Sequence, residues 1–128
     1  MLCIIIHYNI IIKQIFKLKK FNKNNFLKHE IPDWVFGGVM YQIFPDRFHN
    51  SKEELNKDGV VKWGSTPKRL EHQGGDLYGI IEKLDYLDEL GVNIIYLNPI
   101  FLSTSIHRYD TWDHKKVDPT LGGEEALK

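Results

Sequence analysis

The sequence predicts an α/β fold with parallel strands, because two apolar runs of strand length flank one amphipathic helical stretch. The runs cover residues 39–44 and 92–97, and the helical stretch covers about residues 76–90. Nearly continuous apolar runs are typical of parallel strands that are buried on both faces. A strand, a helix and a second strand in this order predict a βαβ unit, whose crossover is almost always right-handed.

The helical stretch has a clear beginning and end. Asp76 is a favourable N-cap, because its carboxylate can accept hydrogen bonds from the free amides of the first turn. Gly91 suits the left-handed conformation that ends many helices. Between them, apolar residues recur at helical spacing and form one stripe: Leu77, Ile80, Ile81, Leu84, Leu87 and Leu90.

Polar stretches separate these elements. Residues 49–75 have no sustained period, so we predict a long loop, and such loops in compact domains are usually functional. An irregular polar stretch runs from Asn98 to about Pro119, and residues 122–127 look like the start of another helix. Because the chain stops there with no third strand, we expect the sequence to be incomplete.

The first 33 residues differ in character from residues 34–128. Residues 1–29 contain six lysines and no acid, although the whole chain has no net charge. Three interpretations stay open: a remnant of an upstream β-domain, an interfacial basic helix, or an accidental open-reading-frame start. The β-branched runs 4–6 and 10–12 favour strand over helix.

Composition excludes several classes of protein. A chain of 128 residues, 42% hydrophobic and 27% charged, can hold one modest globular domain. The single Cys3 excludes an internal disulfide. The apolar start is too short and interrupted to span a bilayer, and its lysines follow the apolar run rather than precede it, unlike a secretory signal. We expect a cytoplasmic protein with no membrane span and no nucleic-acid partner.

Four blocks of sequence, in order, resemble the start of the α-amylase family barrel: Met40–Phe48, Gly74–Ile80, Gly91–Phe101 and His107–Pro119. The last block is similar to the neopullulanase, cyclomaltodextrinase, maltogenic amylase and maltodextrin glucosidase branch. The resemblance implies a partial (β/α)8 TIM barrel: the first two strands, the first helix and the start of the second helix. A whole barrel needs roughly 250 residues and has its site on the loops after the strands.

The resemblance also implies a function. Members of this branch hydrolyse α-1,4 and in some cases α-1,6 links of maltodextrins, cyclodextrins or pullulan with retention, using carboxylates that follow the fourth, fifth and seventh strands. Because those strands are missing here, we expect no catalytic residue in this chain and no activity from the chain alone. Full-length relatives can dimerise. The alternatives are an inactive truncated gene product and a non-catalytic amylase-like binding module.

Four residues are candidates for binding an α-glucan oligosaccharide. In the family, the tyrosine matching Tyr109 stacks on the sugar at the cleavage point, and flat aromatic rings suit the C–H faces of sugars. Asp110 orients the loop or the sugar pocket. His107 can donate to a neighbouring sugar hydroxyl. Asn98 ends the second strand, where barrel sites are built, although it can equally be a turn residue before Pro99.

Calcium is the cofactor that the resemblance suggests. Ca²⁺ prefers six to eight oxygen ligands, and Asn50, Asn56, Gly74 and Asp76 match positions that related enzymes use. Lys52 and Leu55 stand where the family usually has oxygen-bearing side chains, which counts against the site.

The resemblance also implies a role for the pair Asp46 and Arg47. In the family this pair belongs to a hydrogen-bonded and ion-paired set at the top of the barrel, so we expect a structural role for it.

Overall fold

The computed structural model describes residues 3–5 and 32–128. It contains five strands and four α-helical segments in this part of the chain: β1 (Cys3–Ile5), β2 (Met40–Ile43), α1 (Pro45–Phe48), α2 (Leu77–Glu82), α3 (Leu84–Glu89), β3 (Ile94–Leu97), β4 (Phe101–Leu102), β5 (Asp113–Val117) and α4 (Gly123–Leu127). Short 3-10 helices cover Asp33–Val35, Glu53–Leu55 and Pro119–Leu121.

The central sheet confirms the predicted βαβ unit. β2 pairs with β3 in parallel, with Met40 opposite Ile94 and Ile43 opposite Leu97. On the other side of β3, β1 pairs antiparallel, with Cys3 opposite Tyr96. The strand order is therefore β1-β3-β2. The preference of residues 4–6 for strand is confirmed for Ile4 and Ile5, whereas the second run, 10–12, and the rest of residues 6–31 lie outside the described residues.

The prediction that both strands are buried on both faces holds for β3 and is wrong for β2. In β3, Ile94, Ile95 and Leu97 are buried. In β2 only Ile43 is buried, and Met40 is 58% exposed. The reason is that β2 pairs with β3 alone within the described residues, so its outer edge and much of its side-chain surface face solvent.

The predicted helix over 76–90 is interrupted at Lys83. Lys83 leaves the helical region with φ −104° and ψ 12°, which divides the helix into α2 and α3. The apolar stripe is confirmed in part: Leu77, Ile80 and Leu87 are buried in one core on both sides of the break. Ile81 and Leu90, which were expected in the same stripe, are about half exposed. The predicted ends are confirmed: Asp76 accepts from Gly79 N, and Gly91 has φ +75°.

The stretch from Asn98 to Pro119 is more regular than predicted. β4 and β5 form an antiparallel hairpin, with Phe101 opposite Val117. This hairpin was not predicted because β4 has only two residues and β5 is polar except for Val117, so neither strand shows an apolar run. The helix expected at 122–127 is confirmed as α4, and residues 49–75 are a loop apart from the 3-10 turn at Glu53–Leu55.

Candidate functional site

The two loops that follow β2 and β3 begin at the same edge of the sheet, because those strands are parallel. A direct bond joins the two strand ends. Gln42 Nε2 donates to Asn98 Oδ1 at 2.7 Å, and Asn98 N donates to Ile43 O at 2.9 Å. Asn98 therefore lies at the predicted place, where it fixes the start of the second loop. Gln42 was not singled out in the sequence, because its partner is 56 residues away.

The loop after β2 is organised around a buried carboxylate. Asp46 is 2% exposed and accepts from Gln73 N at 3.0 Å, while its other oxygen lies 3.2 Å from His72 Nδ1. Arg47 Nε lies 3.2 Å from Asp46, and Arg47 Nη2 donates to the backbone carbonyls of Lys68 and Glu71. These contacts agree with the structural role expected for the Asp46–Arg47 pair.

The loop after β3 presents Tyr109 to solvent. The Tyr109 side chain is 59% exposed, and its ring centroid lies 5.9 Å from that of His107. His107 Nδ1 accepts from Tyr109 N at 3.1 Å, which requires the proton of a neutral imidazole to be on Nε2. Nε2 is therefore left as a donor. An exposed ring beside a donor fits an oligosaccharide, which has apolar faces and hydroxyl edges.

Asp110 is held by three hydroxyl groups. Ser103 Oγ donates to Oδ1 at 2.6 Å, Ser105 Oγ donates to the same oxygen, and Thr104 Oγ1 donates to Oδ2 at 3.2 Å. The bond from Ser103, followed by that from Ser105, holds the pKa of Asp110 well below its usual range. This carboxylate therefore orients the loop, and its oxygens are already engaged.

Arg108 is a residue of the site that the sequence did not single out. It is 2% exposed, and its Nε lies 2.8 Å from Asp118 Oδ2. Burial alone raises the pKa of Asp118, but the bond from the Thr120 hydroxyl and the charge of Arg108 outweigh it, and the net shift is downward. An Arg and an Asp ten residues apart carry no recognisable signal in a sequence, since only the fold brings them together.

The four residues predicted to bind calcium meet only in part. Asn50 Nδ2 lies 3.4 Å from Asn56 Oδ1, Asn50 Oδ1 is buried without a partner, and a Cβ on Gly74 would lie 2.3 Å from Asn56 Oδ1. Asp76, in contrast, is fully buried, and its carboxylate accepts three backbone N–H groups, from Ser51, Lys52 and Gly79. Its donors are thus neutral amides rather than a cation. The predicted calcium site therefore has oxygen atoms that could bind the ion, but no carboxylate that is free to do so.

Two further features bear on the class of protein. In the described part of the chain, no group of three or more His, Cys, Asp or Glu side chains is placed to hold a metal ion. Over the same residues, no helix is both long and apolar enough to cross a membrane. What remains is a parallel βαβ unit with an aromatic and hydroxyl-rich loop at the carboxyl end of its second strand. The fold is therefore of the α/β class, and the exposed loop side chains form the candidate site.

Comparison with known proteins identifies the family. The family profile of the α-amylase catalytic domain matches residues 42–128. The intracellular maltogenic amylase of Bacillus subtilis is 49% identical over 100 residues, which are 77% of this chain and 17% of that enzyme. The cyclomaltodextrinase of Thermoanaerobacter pseudethanolicus is 50% identical over 97 residues, again 17% of its length. The structure of the cyclic α-maltosyl-(1→6)-maltose hydrolase of Arthrobacter globiformis superposes with a TM-score of 0.73 at 47% identity, covering 77% of this chain and 22% of that one.

The chain therefore belongs to the α-amylase family, and its relatives include maltogenic amylases and cyclomaltodextrinases. The stretch that matches spans about a sixth of the length of those curated relatives. Of the predicted sugar-binding residues, the structure has Tyr109, Asp110 and His107 on one loop between β4 and β5, and places Asn98 directly after β3, bonded to Gln42.

Proposed function

We propose that this chain supplies the sugar-positioning edge of a retaining glycoside hydrolase that acts on α-glucan oligosaccharides: maltodextrins, cyclodextrins or pullulan. The observation that carries the proposal is the exposed ring of Tyr109, which lies beside the His107 ring on a loop whose next residue, Asp110, is bound by three hydroxyl groups. A ring fixed in this way can cover the C–H face of one sugar unit and hold it for attack.

The catalytic carboxylates belong, in this proposal, to later strands of the same barrel. A retaining mechanism needs two carboxyl groups about 5 Å apart, one as nucleophile and one as acid and base. Asp110 is unsuited to the acid role, because the hydroxyl groups that bond to it lower its pKa and keep it ionised. We also assign the protein to the cytoplasm, a location supported by the name of the intracellular relative from Bacillus subtilis.

The test uses a complete enzyme that carries this chain. Residues 42–128 replace the matching stretch of the Bacillus subtilis maltogenic amylase, chosen because 49% of the aligned residues are identical. We expect the chimaera to hydrolyse β-cyclodextrin. Tyr109→Ala should lower kcat/KM by about 10- to 1,000-fold, mainly in kcat, because the stacked sugar is the one that distorts toward the transition state.

Two variants serve as controls for Tyr109→Ala. Tyr109→Phe keeps the ring and should retain much of the activity, whereas His107→Ala should cost less and act more through KM. An unchanged kcat/KM in Tyr109→Ala would reduce this residue to packing on the rim of the barrel and remove the main support for the proposal.

We propose calcium as a weakly held structural ligand at Asn50, Asn56 and the backbone of Gly74. The support is the buried, unpartnered Oδ1 of Asn50 beside Asn56. A site without a free carboxylate has little ligand charge, and calcium affinity depends on that charge. Excess EGTA should lower the melting temperature of the chimaera by only a few degrees, and no change at all would remove calcium from the proposal.

A further inference from the structure

Arg108 has a backbone conformation that arginine rarely adopts. Its φ is +57°, and it is the one non-glycine residue with positive φ in the part of the chain that the structure describes. In this region the Cβ of an L-residue crowds the following carbonyl oxygen, so the conformation is strained. Strained conformations persist only where the surroundings hold them, and they cluster at functional sites.

Hydrogen bonds made by the side chain of Arg108 hold the residue in this conformation. Nη1 donates to Ile106 O at 3.0 Å and Nη2 donates to Thr120 Oγ1 at 3.1 Å, in addition to the 2.8 Å bond from Nε to Asp118. Arg108 and Asp118 are each only 2% exposed. Because removing one partner of a buried ion pair leaves an uncompensated charge, the guanidinium cannot leave this position at low cost.

The backbone of Arg108 is fastened on both sides. Its N–H donates to Ser105 Oγ at 3.1 Å, and its carbonyl accepts from Thr111 Oγ1 at 2.7 Å. Ser105 also supplies one of the three hydroxyl groups that donate to Asp110. The hydrogen bonds of Arg108 therefore anchor it, and through the Ser105 hydroxyl they connect to the hydrogen bonds around Asp110.

The loop alternates between core and solvent around this anchor. Ile106 and Arg108 are buried, whereas His107 and Tyr109 are exposed. With Arg108 sealed inside in a left-handed conformation, the residues on either side of it are directed outward. The hydrogen bond from Tyr109 N to His107 Nδ1 joins these two exposed residues.

We propose that Arg108 is a positioning residue, whose left-handed backbone and buried ion pair with Asp118 present Tyr109 and His107 to the substrate. The inference rests on the proposed function, since it concerns the same sugar-binding loop. Arg108 acts through Tyr109 and makes no contact with sugar of its own. Its charge serves to set the direction of a neighbouring ring.

A double-mutant cycle in the chimaera tests this role. Arg108→Gly removes the anchor while allowing the left-handed backbone, and Arg108→Lys keeps the charge but loses the planar fork of donors. We expect each variant to lower kcat/KM for β-cyclodextrin by about 10- to 100-fold, mainly in kcat. Arg69→Ala, at an exposed arginine of the first loop, is the matched control and should leave kcat/KM unchanged.

The decisive measurement is the same substitution in the Tyr109→Ala background. A residue that works by presenting Tyr109 should lose its effect there, so the double variant should be no slower than Tyr109→Ala alone. Equal losses in both backgrounds, or full activity in both Arg108 variants, would overturn the inference while leaving the proposed function intact. No effect of Tyr109→Ala itself would instead count against the proposed function and the inference together.

Discussion

Asp110 shows how local hydrogen bonds determine protonation at the scale of a residue. The bonds from Ser103 and Ser105 lower its pKa in the folded chain below the usual value of about 3.9. A lowered folded pKa stabilises the native loop above the unfolded pKa, and this contribution is lost only as the pH falls through the folded pKa.

We therefore expect Asp110 to stay ionised at pH 3, where ordinary carboxyl groups are largely protonated. The ¹³C shift of its carboxyl carbon in the chimaera should be flat between pH 5 and pH 3. Ser103→Ala removes the leading cause and should raise the pKa, whereas Ser65→Ala, at an exposed loop serine, should not. An ordinary titration of Asp110 in the unmodified chimaera would contradict the hydroxyl network.

At this scale the sequence could place a residue on its loop where the residue belongs to a contiguous block, while sugar binding by these residues stays a prediction. Tyr109, Asp110 and His107 lie within four consecutive positions, so one motif was enough to bring them together. Arg108 lies in the same block but was missed, because no arginine carries a sign of positive φ and its partner Asp118 is placed by the hairpin. Calcium binding stays a prediction. That three backbone amides donate to the buried Asp76 could not be predicted from the sequence, because it depends on how the loop folds over α2.

Gly79 provides a test at the scale of an element, because helix propensity and packing predict opposite results. Alanine is favoured over glycine inside a helix by about 1 kcal/mol. A Cβ at Gly79 would, however, lie 2.1 Å from His49 O, a backbone atom that cannot move aside cheaply. Overpacking of this kind typically costs about 1–3 kcal/mol, so Gly79→Ala should destabilise α2.

Amide hydrogen exchange of the chimaera measures this effect. Peptides that cover α2 should exchange faster in Gly79→Ala than in the unmodified protein. Gly64→Ala is a useful comparison, because Gly64 has φ +83° but no atom within 4 Å of the methyl group that alanine would add, so only backbone strain changes there. Slower exchange of α2 in Gly79→Ala would show that propensity dominates and that the contact with His49 is loose.

Elements with a strong period were predicted well, and short ones were not. β2, β3 and the ends of the helix follow from apolar runs, an N-cap and a glycine stop. The break at Lys83 could not be predicted, because neither proline nor glycine marks it. β4 has only two residues, and β5 is polar except for Val117, so neither strand shows an apolar run or an apolar alternation in the sequence.

At the scale of the whole molecule, a run of exposed apolar side chains lies at the start of β2 within the described residues. Phe36 and Met40 are each 58% exposed and Val39 is 42% exposed. Large apolar side chains at an open strand edge favour association. We expect the isolated 128-residue chain to bind the dye 1-anilinonaphthalene-8-sulfonate strongly and to melt without a sharp transition, unlike the chimaera.

A control variant locates this surface. Met40→Thr keeps a residue suited to a strand and should reduce dye binding, whereas Lys62→Thr, in the first loop, should not. A sharp cooperative melt of the purified monomer, without dye binding, would show that the chain needs no further barrel strands. At this scale the sequence predicted the parallel unit, but the exposure of β2 depends on which neighbours are present.

β1 has a consequence for how such a barrel is completed. In a closed barrel of parallel strands, every strand has a parallel neighbour on both sides. In the complete barrel that the proposed function requires, the side of β3 that pairs with Cys3–Ile5 would also be needed by the next parallel strand, and it can accept only one partner. During synthesis the N-terminal residues emerge first, so β1 would be available to β3 before that strand. Closing such a barrel would then be a strand-exchange reaction, in which β1 is replaced by a parallel neighbour.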